Sequence, residues 1–254
     1  MTLQRKPARE AKVTVMVLAL VLATAMNAGA QGKSADAPAS NLALKVATTQ
    51  VAADALLDPD ASGWQQVAAK DVALNRTPPL YDTDPPAGLE VGHVNVQVAR
   101  GGGKLLLRLA WHDATQDTAV IAKPPATPPE ARRMKEHSEQ SNRFFDAAAV
   151  MFPASLSTGI ASPSLQMGDA NDPVTIYYWN AARGPMLMKA AGRATTARTG
   201  EGFPARAVYQ GGEWRLAVEL PDIPAGVPLA FAVWNGSEQD RDGRKAFSVW
   251  YRLQ

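Results

Sequence analysis

The strongest constraint on how this chain folds is a two-residue alternation of apolar side chains that recurs along it. Leu105, Leu107, Leu109 and Trp111 share one parity, and Trp214, Leu216, Val218 and Leu220 form a second such row with Arg215 and Glu219 opposite. Leu229, Phe231 and Val233 repeat the pattern, as do Phe247, Val249, Tyr251 and Leu253. Period two over such lengths marks half-buried strands. Gly101-Gly102-Gly103 and Gly211-Gly212 stand just before two of these runs, where hairpin turns belong. The pattern predicts an all-β fold, an antiparallel β-sandwich with few short helices. One stretch resists it. Residues 119–143 hold Lys123-Pro124-Pro125-Ala126-Thr127-Pro128-Pro129 and then a charged run, Glu130 to His137, which suits a short helix on a long loop. Loops of this length in a compact domain are usually functional or mobile.

The N-terminus reads as an export signal. Arg5, Lys6, Arg9 and Lys12 precede an apolar run from Val13 to Ala23, and Ala28-Gly29-Ala30 offers small residues in the pattern that signal peptidase accepts. The run is short of the about 20 residues that span a bilayer. Arg5 is followed by Lys6 rather than a second arginine, so the Sec-type route fits better. The expected plan is a signal over 1–30, a small polar leader over 31–41, and one sandwich domain over 42–254. Without residues 1–30 the chain keeps 22 basic and 23 acidic residues, so the basic balance of the whole comes mostly from the signal. Nothing in that balance suggests nucleic acid. The absence of cysteine excludes disulfides, thiolate metal sites, iron–sulfur clusters and covalent c-type haem.

Catalytic motifs are thin. His93, His112 and His137 lack metal-site spacing, and neither a nucleophile elbow nor a phosphate-cradling glycine loop occurs. Asp113 and Asp117 are candidate paired acids, but aspartates four apart at a strand end are expected to be solvated turn residues. Two other features carry more chemistry. Met167 lies in a polar loop, Ser162 to Pro173, with Gly168 beside it, ahead of an apolar strand ending at Trp179. It either caps the sandwich edge or offers a soft thioether to haem iron or Cu(I). Lys245 shares the parity of Phe247. It either snorkels from a strand end or holds a desolvated amine whose lone pair is free for a metal.

Three segments together carry a family resemblance: Phe145-Asp146-Ala147-Ala148-Ala149-Val150-Met151-Phe152-Pro153; Gln166-Met167-Gly168 with the strand ending at Trp179; and Val233-Trp234-Asn235-Gly236 followed by Asp240 to Lys245. They resemble the haem-binding γ subunits of periplasmic molybdenum enzymes of the DMSO reductase superfamily, the ethylbenzene, dimethylsulfide, chlorate and selenate enzymes. The resemblance spans about Leu42 to the end and is sharpest from Phe145. It implies a β-sandwich holding one non-covalent haem b, with methionine and lysine as axial ligands, here Met167 and Lys245. It also implies a periplasmic electron-transfer subunit, not catalytic alone, that relays electrons between a molybdopterin catalytic subunit with its iron–sulfur subunit and a soluble c-type cytochrome. Met186 and Met188 are further methionine candidates, Trp179, Trp234 and Trp250 candidate pocket walls, and Arg241 and Arg244 candidate propionate partners. The Pro-rich excursion is longer than the family pattern. Two rivals are an exported carbohydrate- or small-ligand-binding module, and haem ligation through His93 or His112.

Overall fold

A strand with alternating apolar residues is stable only when one face meets another layer, and the alternating rows here meet each other. The computed structural model describes residues 42–49, 52–78, 89–118, 120–121, 143–200 and 202–254. The expected signal, the leader and the charged run 130–137 lie outside the described residues. Residues 37–254 form one compact unit.

Its strands, in chain order, are β1 (Ala43–Leu44), β2 (Val46–Thr48), β3 (Lys70–Ala73), β4 (Asn75–Arg76), β5 (His93–Gly101), β6 (Lys104–His112), β7 (Val120–Ile121), β8 (Arg143–Phe144) and β9 (Ala147–Pro153). There follow β10 (Val174–Asn180), β11 (Gly184–Ala190), β12 (Ala197–Arg198), β13 (Ala205–Gln210), β14 (Glu213–Leu220), β15 (Pro228–Trp234), β16 (Ala246–Phe247) and β17 (Tyr251–Leu253). Among the described residues, helix is confined to α1 (Ala53–Leu56) and a 3₁₀ turn at Ser62–Gln66.

The larger sheet runs β1-β17-β15-β9-β10-β11-β12, with β16 joining β15 to β4. The smaller runs β13-β14-β6-β5-β2, with β3 also on β5. Pairing is antiparallel except for β1 with β17 and β2 with β5. The expected all-β sandwich is therefore present, with two short parallel pairings added by the N-terminal strands. Gly102 and Gly103 (φ 59° and 74°) form the two-residue turn of the β5–β6 hairpin, whose last pair is Gly101 with Lys104. Both φ values are positive, as the primed turns that match strand twist require. The ends of the Pro-rich excursion are tied to each other as β7 and β8.

The alternating rows supply the core between the sheets. Leu105, Leu107, Leu109, Trp111, Trp214, Leu216, Val218 and Leu220 of the smaller sheet meet Val150, Phe152, Leu229, Phe231 and Val233 of the larger. One expected row is broken. Phe247 packs on the outer side of the larger sheet, Val249 is exposed, and Tyr251 and Leu253 face the core. The reason is Ser248. It is fully buried, its N–H donates to Phe231 O (2.9 Å) and its Oγ accepts from Phe231 N–H (2.9 Å). One residue thus occupies both backbone positions of a strand pair, and the side-chain parity shifts beyond it.

Truncation of Phe231, buried at the centre of this core, is expected to cost about 3–5 kcal/mol in Phe231→Ala by urea unfolding. A loss below about 1 kcal/mol would contradict the shared core.

Candidate functional site

Both faces of the larger sheet are apolar. On its outer face Ala147, Ala149, Val174, Ile176, Ala190, Ala232 and Trp234 form a second buried cluster, bordered by Met151, Met167, Tyr178, Met188, Phe247 and Trp250. The register explains the composition. Ala149 stands between Ala232 and Tyr178, and Ala147 between Trp234 and Asn180. Three alanines where strands usually carry branched side chains keep the middle of this face low, with larger side chains around it. Across this floor Tyr178 and Trp234 meet edge to face, their ring centroids 5.3 Å apart, and the alanines are buried.

Met167 is brought to this face by a tight turn. Gly168 N–H donates to Ser164 O (2.8 Å), and Met167 O accepts from Gly192 N–H (2.9 Å) just past β11. Trp250 Nε1–H donates to Pro163 O (2.9 Å), which pins the start of the loop. Met167 has φ 75°, a left-handed conformation that costs a non-glycine residue about 1–2 kcal/mol. Strain at a side chain with a soft donor atom is where functional constraint is expected. The next residue has to be glycine. Gly168 has φ +70°, and a Cβ there would stand 2.5 Å from Asp172 O.

Lys245 reaches the same cluster at Trp234. Its ammonium nitrogen lies 5.4 Å from the centroid of the Trp234 ring. Its carbonyl accepts from both Thr77 N–H (3.0 Å) and Thr77 Oγ–H (2.8 Å). The loop before it is held by Asp240, which accepts from Asn235 N–H (3.2 Å) and Arg76 (2.7 Å), and by Trp234 Nε1–H on Asp242 O (3.2 Å). Burial pushes the Lys245 amine below the ordinary lysine range, Arg193 adds to this, and Asp242 opposes it.

Other expected residues separate. Met188 borders the outer cluster, and Met186 lies opposite Tyr178 on the same face. Trp234 belongs to the cluster and Trp250 packs on it, but Trp179 lies in the central core, 5.1 Å from Trp214. His93 and His112 are exposed on the smaller sheet, where His93 Nδ1 pairs with Asp71 (3.0 Å). His137 lies outside the described residues. Arg244 is engaged by Asp240 (3.2 Å), and the Arg241 guanidinium carbon lies 5.3 Å from the Phe144 ring centroid. Asp113 and Asp117 are not solvated turn residues. Both are buried together with Asp146. Local spacing carries no sign of this, because the third acid lies beyond the Pro-rich excursion.

The fold and this face define an antiparallel β-sandwich whose larger sheet offers a thioether and an amine beside a low apolar floor. The chain belongs to the ethylbenzene dehydrogenase family, whose profile matches residues 61–215. It is 25% identical to the chlorate reductase subunit gamma of Ideonella dechloratans over 94% of this chain and 95% of that one. It is 28% identical to the dimethylsulfide dehydrogenase subunit gamma of Rhodovulum sulfidophilum, over 76% of this chain and 72% of the relative. A protein of Haloferax mediterranei, provisionally named respiratory nitrate reductase heme subunit ORF7, is 28% identical over 80% of this chain and 70% of its own. Among solved structures, a family 9 carbohydrate-binding module of Caldicellulosiruptor kristjanssonii in complex with glucose aligns at 12% identity and a TM-score of 0.40, covering 84% of this chain and 95% of that one.

Two stability measurements test the site's construction. Gly168→Ala is expected to cost about 3 kcal/mol or more, because strain and a backbone clash add. Gly159→Ala, with φ +74° but open space around it, costs about 1 kcal/mol. Equal losses would contradict the tight Met167 turn. For Lys245 the sign follows from its lowered pKa. Above that value the folded chain binds fewer protons than the unfolded one, so stability rises with pH up to the ordinary lysine range. Chemical denaturation across the alkaline range should show that rise in the haem-free chain and lose it in Lys245→Met. An unchanged rise in the variant would contradict a desolvated amine.

Proposed function

We propose that this chain is the haem-carrying, electron-transferring subunit of a molybdenum oxidoreductase complex, with Met167 and Lys245 as the axial ligands of one non-covalent haem b. One observation carries the reading: two residues far apart in the sequence, one a soft thioether and one a desolvated amine, border the same apolar cluster. Their residue types suit the group. Thioether and amine are both neutral donors, and the absence of cysteine fits a haem held without covalent attachment.

The haem supplies one-electron exchange at its iron. The chain's own residues set the conditions for it. Met167 lies in a strained turn already tied to Gly192, just past β11, and to Trp250, so little ordering remains when it binds. Lys245 has to lose a proton before its nitrogen can ligate. Burial favours the neutral amine and lowers that cost. Ala147, Ala149 and Ala232 are small, and Tyr178, Trp234, Phe247 and Trp250 beside them form an apolar setting that would keep water from the group. A thioether ligand favours the ferrous state and raises the potential.

The chain's subunit role draws on its relatives, two of which bear the names of gamma subunits of chlorate reductase and dimethylsulfide dehydrogenase. We place it in the periplasm after removal of residues 1–30, between a molybdopterin and iron–sulfur pair on one side and a soluble c-type cytochrome on the other. Catalysis belongs to the molybdenum partner. No helix among the described residues is long and apolar enough to cross a membrane.

Expression with haem supplied, followed by a pyridine haemochrome assay, is expected to give one haem b per chain and a low-spin, six-coordinate spectrum. Met167→Ala and Lys245→Ala should each lose that spectrum, with haem retention at least about tenfold weaker. A chain without haem b would overturn the proposal in favour of a ligand-binding module. If both variants kept the low-spin spectrum, the axial assignment would fail.

A further inference from the structure

The three buried acids form a group separate from the apolar outer face. Asp113 follows β6, Asp117 lies four residues on, and Asp146 precedes β9. Their relative exposures are 0%, 8% and 0%. One carboxylate oxygen of each lies within 4.8 Å of those of the other two. Asp146 is fully engaged: Oδ2 accepts from Asp117 N–H (2.6 Å) and Trp214 Nε1–H (3.0 Å), and Oδ1 from Gly236 N–H (3.0 Å). Asp117 Oδ2 accepts from Thr115 Oγ–H (2.7 Å). Asp113 differs. Its Oδ1 accepts from Thr115 N–H (3.2 Å), but its Oδ2 is buried with no hydrogen-bond partner.

A fourth acid stands near. Glu90 Oε1 accepts from Ala114 N–H (2.8 Å) and Oε2 from Asn235 Nδ2–H (2.9 Å). Among the described residues no lysine, arginine or histidine forms an ion pair with Asp113, Asp117 or Asp146. Buried carboxylates without a counter-charge cost several kcal/mol each unless a proton or a cation neutralises them. Burial raises the affinity of both Asp113 and Asp146 for a proton, with neighbouring acids adding to it. A shared proton would relieve part of this, but it needs an oxygen aimed at another oxygen. The free Asp113 Oδ2 and an oxygen-only donor set suit a hard cation better.

We propose that Asp113, Asp117 and Asp146 bind one divalent cation, calcium, at the seam between the two sheets. Calcium is favoured over magnesium because it accepts irregular oxygen sets, whereas magnesium demands a near-ideal octahedron. The ion joins the end of β6 to the start of β9. The loop after β15 closes over it: a Cβ at Gly236 would stand 2.5 Å from Asp117 Cβ, so backbone packs directly on that acid. The same loop leads from Trp234 to Lys245. A cation here therefore braces the strand ends that carry Ala147 and Trp234 on the outer face, and its binding does not depend on what that face holds.

The test is calorimetric titration of CaCl2 into the full chain after treatment with chelator, with thermal unfolding in parallel. One calcium per chain is expected, with Tm raised by about 5–10 °C at a hundred times Kd. Asp113→Asn keeps an oxygen for Thr115 N–H and removes a buried charge. In chelator it should melt at or above the wild-type temperature, with calcium affinity at least about tenfold weaker. Asp117→Asn, checked for folding by circular dichroism, serves as the second variant and should show the same loss. The proposal is overturned if calcium leaves the wild-type Tm unchanged, or if the folded variants bind it as tightly as wild type. A calcium-independent fall of wild-type stability with rising pH would overturn it in favour of the shared proton.

Discussion

An antiparallel sheet with two apolar faces has to be covered twice, and the larger sheet of this protein is such a sheet. Its inner face is covered by the smaller sheet through the rows built on β6, β14 and β15. On its outer face Ala147, Ala149, Val174 and Ile176 are buried among Met151, Met167, Tyr178, Trp234, Phe247 and Trp250, and the Trp250 segment is tied to the Met167 loop through Pro163 O. The smaller sheet offers a contrast. Its outer apolar residues, Ala99, Leu106 and Ala217, are capped within the chain by Leu56, Trp64 and Val67 from α1 and the 3₁₀ turn. Nearby Arg108 and Arg215 there are taken up by Pro59 O, Gln97, Asp60 and Glu213. The outer face of the larger sheet adds a thioether and a desolvated amine to its apolar residues, and a haem held there, as proposed, would give both a bonding partner.

The two donors are held by their backbones, which leaves their side chains for other work. Met167 O and Lys245 O are engaged by Gly192 and Thr77, and the loops around them are fixed by Asp240, Asn235 and the tight approach at Gly168. The left-handed φ of Met167 and the desolvation of Lys245 both cost stability in the chain by itself. Each cost becomes intelligible if the sulfur and the nitrogen acquire a bonding partner. Electron transfer also gains from such preorganisation, since ligands that barely move on a change of charge leave little structure to rearrange.

The strands were legible because one buried face imposes period two, and the hairpin at Gly102-Gly103 because its turn needs positive φ. The C-terminal row departs from period two for a local reason: Ser248 takes both hydrogen bonds of Phe231, and periodicity cannot show such an insertion. Met167 and Lys245 were singled out in the sequence by their chemistry and by resemblance, but only the register of β9, β10 and β15 brings them to one face. Trp179 and Trp234 looked equivalent as aromatic strand ends, yet opposite parities send one to the core and the other outward. The acids were least legible. Asp113 and Asp117 carry the polarity of a turn, and the contact that buries them comes from Asp146, Trp214 and Gly236, all distant in sequence.

As proposed, Met167 on the outer face of the larger sheet supplies a thioether to haem iron. Iron X-ray absorption of the haem-loaded chain reads this directly, because sulfur and nitrogen scatter differently at bonding distance. One sulfur is expected among the six atoms bound to iron, and none in Met167→Ala. Six nitrogen neighbours and no sulfur in the unaltered chain would contradict it.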